Sequence, residues 1–188
     1  MPWTRIRWRK SWKALAERGL TVATAESCTG GMLSQRITAV PGASDVFAYG
    51  ACTYANAIKE KMLDVRHETL EACGAVSPET AAEMAQGVRK AAGADFGVGI
   101  TGIAGPGGGT PEKPVGLVYL AACSADTVYV QKLVITGRTR EVVRLSSTQH
   151  ALEMVRRLAL GLPQPACTAF PAGAPAHPTQ KDASARDA

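Results

Sequence analysis

Histidine is scarce in this 188-residue chain, with only His67, His150 and His177, and aromatic residues make up 5% of it. His177 falls in a Pro/Ala-rich tail, His150 in a helix-like stretch and His67 in a polar loop segment, so none is placed for a Ser/His/Asp triad. The cysteines at 28, 52, 73, 123 and 167 are scattered, and no two form a CxxC pair. Neither a disulfide framework nor a zinc site is therefore expected, and reduced thiols are. No apolar run nears the roughly 20 residues of a bilayer span, and the N-terminus lacks the apolar core of a secretory signal. A cytoplasmic protein without membrane contact is the expectation. The GxxxxGK[ST] pattern is also missing, which argues against nucleoside-triphosphate hydrolysis.

What is present begins with 46% hydrophobic residues, enough for a real core. The net charge of +5 is local: Arg5, Arg7, Arg9, Lys10, Lys13 and Arg18 against Glu17 account for all of it. The remainder is neutral, so a solvated basic helix explains the charge better than a nucleic-acid groove does. A DNA-associated protein would rest on that helix alone.

Trp8, Trp12, Leu15 and Ala16 recur at helical spacing before Gly19, so residues 5–18 read as an amphipathic helix. LTVATAE is a short β-branched strand that runs through SCTGG into a helical stretch from Met32 to Val40, which puts Ser27 at a strand-to-helix turn. VFAYGACTY reads as a strand and AIKEKMLDV as a short helix bearing Lys59 and Lys61. Ser77, Pro78 and Glu79 form a helix start, and that helix runs to about Ala92. FGVGITG is a buried strand opening into GIAGPGGGTPEKP, a glycine-rich loop. VGLVYLAAC and TVYVQKLVI follow at hairpin spacing, and from Thr139 the residues Val142, Leu145, Leu152, Val155 and Ala159 trace a last helix. Crossovers followed by a hairpin predict a three-layer α/β/α sandwich with a mixed β-sheet. Residues 1–162 form the expected folded domain. Residues 163–188, rich in Pro and Ala, are expected to be a disordered tail.

A hydroxyl at the end of a strand, turning through glycines into a helix, meets unpaired backbone N–H groups. That geometry suits a nucleophile with an oxyanion hole, and Gly30 and Gly31 let a substrate approach the backbone. Ser27 and Cys28 both qualify, although a cysteine needs a base as much as a serine does. The base can be a lysine, Lys59 or Lys61, if burial lowers its pKa. Thr101, at the end of its strand, is expected beside Ser27 at the carboxyl edge of the sheet. Arg138 and Arg140 are candidates for holding an anion.

TVATAESCTGG, VPGAS, TYAN with Lys59, GAVS and GITGIAGPGGGTPEKPVG occur in one order across about residues 10 to 160. Together they resemble the C-terminal domain of the CinA family, the nicotinamide-nucleotide amidohydrolases, and the stand-alone form of it. The resemblance implies hydrolysis of the carboxamide of nicotinamide mononucleotide to nicotinate mononucleotide and ammonia, in pyridine nucleotide salvage, without metal or cofactor. It makes Ser27 the nucleophile and Lys59 its basic partner, with Tyr54 and Thr101 assisting. Glu26, Thr29, Gly30, Gly31, Gly102, Gly105 and Arg140 are the substrate-binding candidates, and a homo-oligomer is a possible assembly. The family's Gly, Asp or Asn, Arg near the last helix becomes Arg138, Thr139, Arg140 here, with the glycine displaced to 137. A nucleotide-binding or regulatory module that keeps the pocket but not turnover is the rival expectation.

Overall fold

The structure, a computed structural model, describes residues 12–164 and 166–173. Of the expected first helix, residues 12–16 are helical (α1), and the part before them lies outside the described residues. Strands β1 (Val22–Glu26), β2 (Phe47–Cys52), β3 (Phe96–Gly102), β4 (Leu117–Cys123), β5 (Thr127–Val134) and β6 (Thr168–Pro171) form one sheet in the order β2-β1-β3-β4-β5-β6. β1 is parallel to both β2 and β3, and the remaining neighbours are antiparallel. The helices are α2 (Met32–Thr38), α3 (Asn56–Leu63), α4 (His67–Cys73), α5 (Pro78–Ala92) and α6 (Arg140–Ala159).

Alternation along the strands sends apolar side chains to both faces, which is why helices cover both. On one side Val98, Ile100, Leu120 and Ala122 pack with Leu15 of α1, Leu33 and Ile37 of α2, and Val143 and Leu152 of α6. Each such fully buried Leu or Ile contributes roughly 1.5–3 kcal/mol. On the other side Ala23 and Ala25 pack with Leu63, Leu70, Met84 and Val88. Beyond them, Ala121 and Val130 meet Ala81, Ala82 and Ala85 of α5. The result is the expected three-layer α/β/α sandwich.

α5 starts where Ser77 Oγ accepts from Thr80 N at 3.1 Å, with Pro78 behind it, and it stops at Gly93 in the left-handed region. It lies directly on β3 because Gly97 and Gly99 have no side chains. A Cβ at Gly99 would sit 2.3 Å from Ala81 O, and one at Gly97 would sit 2.1 Å from Ala85 O. β1 is flanked by β2 on one side and β3 on the other. The chain reaches β2 through α2 on one face and β3 through α3, α4 and α5 on the opposite face. The carboxyl end of β1 is thus a topological switch point, where open α/β sheets form a crevice.

Two expectations are corrected. The segment after residue 163 is not wholly outside the fold: Thr168–Pro171 pairs antiparallel with Thr127–Val130 of β5, and Phe170 packs against the Ala81–Val130 cluster. An edge strand offers a row of backbone donors and acceptors that any extended segment can use, whatever its composition. His67 is not in a loop but opens α4, its Nδ1 3.1 Å from Glu60 Oε1. No helix among the described residues is long and apolar enough to cross a membrane.

Candidate active site

Ser27 follows β1 and is held between its two parallel neighbours. Its N–H donates to Ile100 O of β3 at 2.9 Å, while Thr53 N, just past β2, donates to Glu26 O at 2.9 Å. The chain then turns through Gly30 and Gly31 at φ 56° and 88° into α2. Within this turn Gly30 N bonds to Ser27 O and Met32 N to Thr29 O, but no backbone carbonyl among the described residues accepts from the N–H of Cys28, Thr29 or Gly31. The half-buried Ser27 therefore stands at a turn whose Gly31 N–H is taken by no backbone carbonyl among the described residues, the kind of donor an oxyanion requires, whereas the Cys28 N–H meets its own thiol and Thr29 is fully buried.

Glu26 does not face a ligand. It is fully buried, its Oε2 accepts from Leu33 N at 2.9 Å, and its Oε1 accepts from Ser34 N and Ser34 Oγ at 2.9 and 2.8 Å. A carboxylate under the first turn of α2 satisfies donors that the helix cannot and complements its dipole. Its expected role in substrate binding gives way to one in holding the turn.

Lys59 is the largest fully buried side chain among the described residues. Its Nζ donates to Thr53 O at 2.8 Å and Tyr54 O at 3.0 Å, and lies 3.5 Å from Ser27 Oγ, at the outer limit of a hydrogen bond. Burial pulls the Lys59 pKa below the ordinary lysine value, an effect the neighbouring Cys28 thiolate would oppose. A neutral amine has two N–H groups and one lone pair. The two carbonyls match the N–H groups, which leaves the lone pair for the Ser27 hydroxyl. In the cationic form the third N–H would point at Oγ instead, so the same geometry accommodates the proton on either atom. Lys61 is on the outer surface of α3.

Cys28 is 5% exposed, packs into the core with Ile100 and Ala104, and burial pushes its thiol up to about 11. At neutral pH it is protonated and unavailable as a nucleophile. Thr101 sits in register beside Ser27, one residue past the Glu26–Ile100 pair, and its hydroxyl donates to Ala75 O at 2.6 Å. It thereby ties the GAVS turn to β3. Tyr54 supplies a carbonyl to Lys59 and is otherwise an exposed residue, 64% accessible.

Of the expected binding glycines, Gly102 is required by the fold, since a Cβ there would lie 2.7 Å from Leu117 O of the paired strand. Gly105 and Arg140 meet each other: Arg140 Nη1 donates to Gly105 O at 2.8 Å. Arg138 is exposed beyond the start of α6. Arg144, which the sequence reading passed over, donates from Nη2 to Thr29 O at 2.7 Å. Its signal was the spacing to Arg140, one turn along the same helix face. Thr29 Oγ1, Thr53 Oγ1 and Arg144 Nε are buried without a hydrogen-bond partner among the described residues. Each such group costs roughly 1–3 kcal/mol, an expense that folded domains concentrate where a ligand is handled.

The CinA C-terminal domain family model matches residues 8–159. A CinA-like protein of Desulfovibrio desulfuricans is 54% identical over 151 residues, which is 79% of this chain and 36% of that protein. The chain spans about a third of the length of the curated relatives it matches. Among solved structures, the competence/damage inducible protein CihA from Agrobacterium tumefaciens is 42% identical with a TM-score of 0.80, covering 84% of this chain and 95% of that one. A CinA superfamily protein from Klebsiella pneumoniae is 32% identical with a TM-score of 0.78, covering 84% and 98%. With the family model, the sequence relatives and the fold in agreement, this chain belongs to the CinA family through its C-terminal domain.

Proposed function

We propose that this protein is an amidohydrolase that converts nicotinamide mononucleotide to nicotinate mononucleotide and ammonia, with Ser27 as nucleophile and Lys59 as its base. The observation that carries this reading is the fully buried Lys59 amine, whose Nζ is shared between two backbone carbonyls and Ser27 Oγ. A lysine enclosed in this way is a poor structural element and a good base.

In the reaction, Lys59 takes the proton from Ser27 Oγ as the oxygen bonds to the carboxamide carbon. The negative charge that develops on the amide oxygen is received by backbone N–H groups of the turn, with that of Gly31 the one left open by its neighbours. Lys59 then gives its proton to the departing nitrogen, ammonia leaves, and an acyl-serine remains. Water, deprotonated by the same amine, adds to the acyl carbon and releases the carboxylate and the serine. Lys59 thus passes on within each half-reaction the proton it took, from serine to ammonia in the first and from water to serine in the second.

Ammonia release from nicotinamide mononucleotide tests the reading, with Ser27→Ala and Lys59→Ala beside the wild type. The expected result is turnover by the wild type and a loss of about 10³-fold or more in each variant. Nucleotide binding without ammonia release by the wild type would establish the rival, a binding module.

A further inference from the structure

Arg140 and Arg144 of α6 reach the two loops that meet above β1 and β3, at Gly105 O and Thr29 O. The Thr29 carbonyl belongs to the peptide plane joining Thr29 to Gly30. The plane after it carries the Gly31 N–H, a donor that no backbone carbonyl among the described residues takes, while Thr29 itself is fully buried. Gly30 and Gly31 lack a Cβ to restrain these planes. The Thr29–Gly30 plane is held within the turn by Gly30 N donating to Ser27 O and Met32 N donating to Thr29 O, and Arg144 adds a shorter, charge-assisted bond to the same carbonyl, which steadies the direction of the Gly31 N–H beside it. The guanidinium lies against the turn itself, since a Cβ on Gly30 would be 3.5 Å from Arg144 Nη2. Its helix is in turn locked to α2 by Arg36, which donates to Thr148 Oγ1 at 2.6 Å and Gln149 Oε1 at 2.7 Å.

We propose that Arg144 is a positioning residue: by holding the Thr29 carbonyl it aims the adjoining Gly31 amide at the oxygen of the amide that Ser27 attacks. This role rests on the amidohydrolase reading above, and it differs from that of an arginine that binds the substrate's phosphate. A positioning residue acts on kcat for any substrate, whereas a phosphate ligand acts on KM for phosphorylated ones only.

The experiment compares wild type, Arg144→Lys and Arg144→Ala, the last with and without added guanidinium chloride at millimolar levels. Three rates are read: phosphonylation of Ser27 by a fluorophosphonate probe, and turnover of nicotinamide mononucleotide and of phosphate-free nicotinamide riboside. Expected are falls of about tenfold or more in labelling and in kcat for both substrates, with KM unchanged, because one well-aimed oxyanion donor is worth about 10² to 10³ in kcat. Guanidinium should restore part of the Arg144→Ala rate, which a merely unfolded variant cannot do. A rise in KM confined to the mononucleotide, with labelling intact, would overturn the role, as would full activity in both variants or a loss that guanidinium does not reverse. If the wild type is labelled at Ser27 but releases no ammonia, the amidohydrolase reading fails while the labelling rates still decide the role of Arg144. A wild type that is not labelled at Ser27 overturns the positioning role itself.

Discussion

Glu26→Gln separates a residue that holds the turn from one that binds substrate. Oε1 accepts two hydrogen bonds, from the amide and hydroxyl of Ser34, and Oε2 accepts one, from Leu33 N, all in a fully buried site. A glutamine keeps its oxygen at the doubly bonded position and turns its NH₂ toward the Leu33 amide, so that two donors face each other. A charge-assisted bond worth about 1.5–3 kcal/mol is lost and a buried N–H is left unmatched at about 1–3 kcal/mol, partly offset by no longer burying an anion. The net expectation is a destabilisation of about 3 kcal/mol. For a domain of this size that lowers Tm by roughly 6–12 °C. Urea and thermal unfolding followed by circular dichroism measure it, alongside KM for the nucleotide. Stability within about 1 kcal/mol of wild type together with a raised KM would refute the reasoning and return Glu26 to the substrate.

Three further outcomes follow from the same geometry. Because burial lowers the pKa of Lys59 and the base must be deprotonated, kcat/KM should rise with pH and level off below the ordinary lysine value of 10.5. A rate that climbs only around 10.5 would mean a solvated amine. Cys28→Ala should keep turnover within about threefold, since a thiol pushed up to about 11 is not the nucleophile. A loss equal to that of Ser27→Ala, measured by ammonia release, would reverse that assignment. Gly99→Ala should cost at least about 2 kcal/mol in urea unfolding, because its Cβ would press 2.3 Å from Ala81 O and force α5 away from β3. An unchanged midpoint would show that the helix can shift without loss.

Local chemistry carried much of the fold: the Ser77 cap and the β-branched run before Ser27 each report on their own neighbours, and each element formed close to where its residues indicated. Lys59 could not be told from Lys61 in this way. On α3 Leu63 is buried in the usual way, but Ile58 and Met62 face outward at 40% and 44% exposure while the lysine between them is enclosed. A rule broken locally marks a site, but only the surrounding elements reveal that it is broken. For Arg144 the sequence offered only the spacing to Arg140, since its partner is a carbonyl 115 positions earlier in the chain. Composition failed at β6 because backbone pairing leaves no trace in side-chain chemistry.

That last strand bears on how the protein behaves in concentrated solution. Without Thr168–Pro171, β5 would expose TVYVQKLV along its full length, an eight-residue edge with a single charge. Such an edge is a template for pairing with another molecule of the same kind. With β6 in place, Thr127–Val130 is covered, and the uncovered half contains the exposed Lys132, a charge that discourages a second chain from adding there. A version cut at residue 163 would keep Ser27, Lys59 and the turn, yet would be expected to aggregate at concentrations where the longer chain does not.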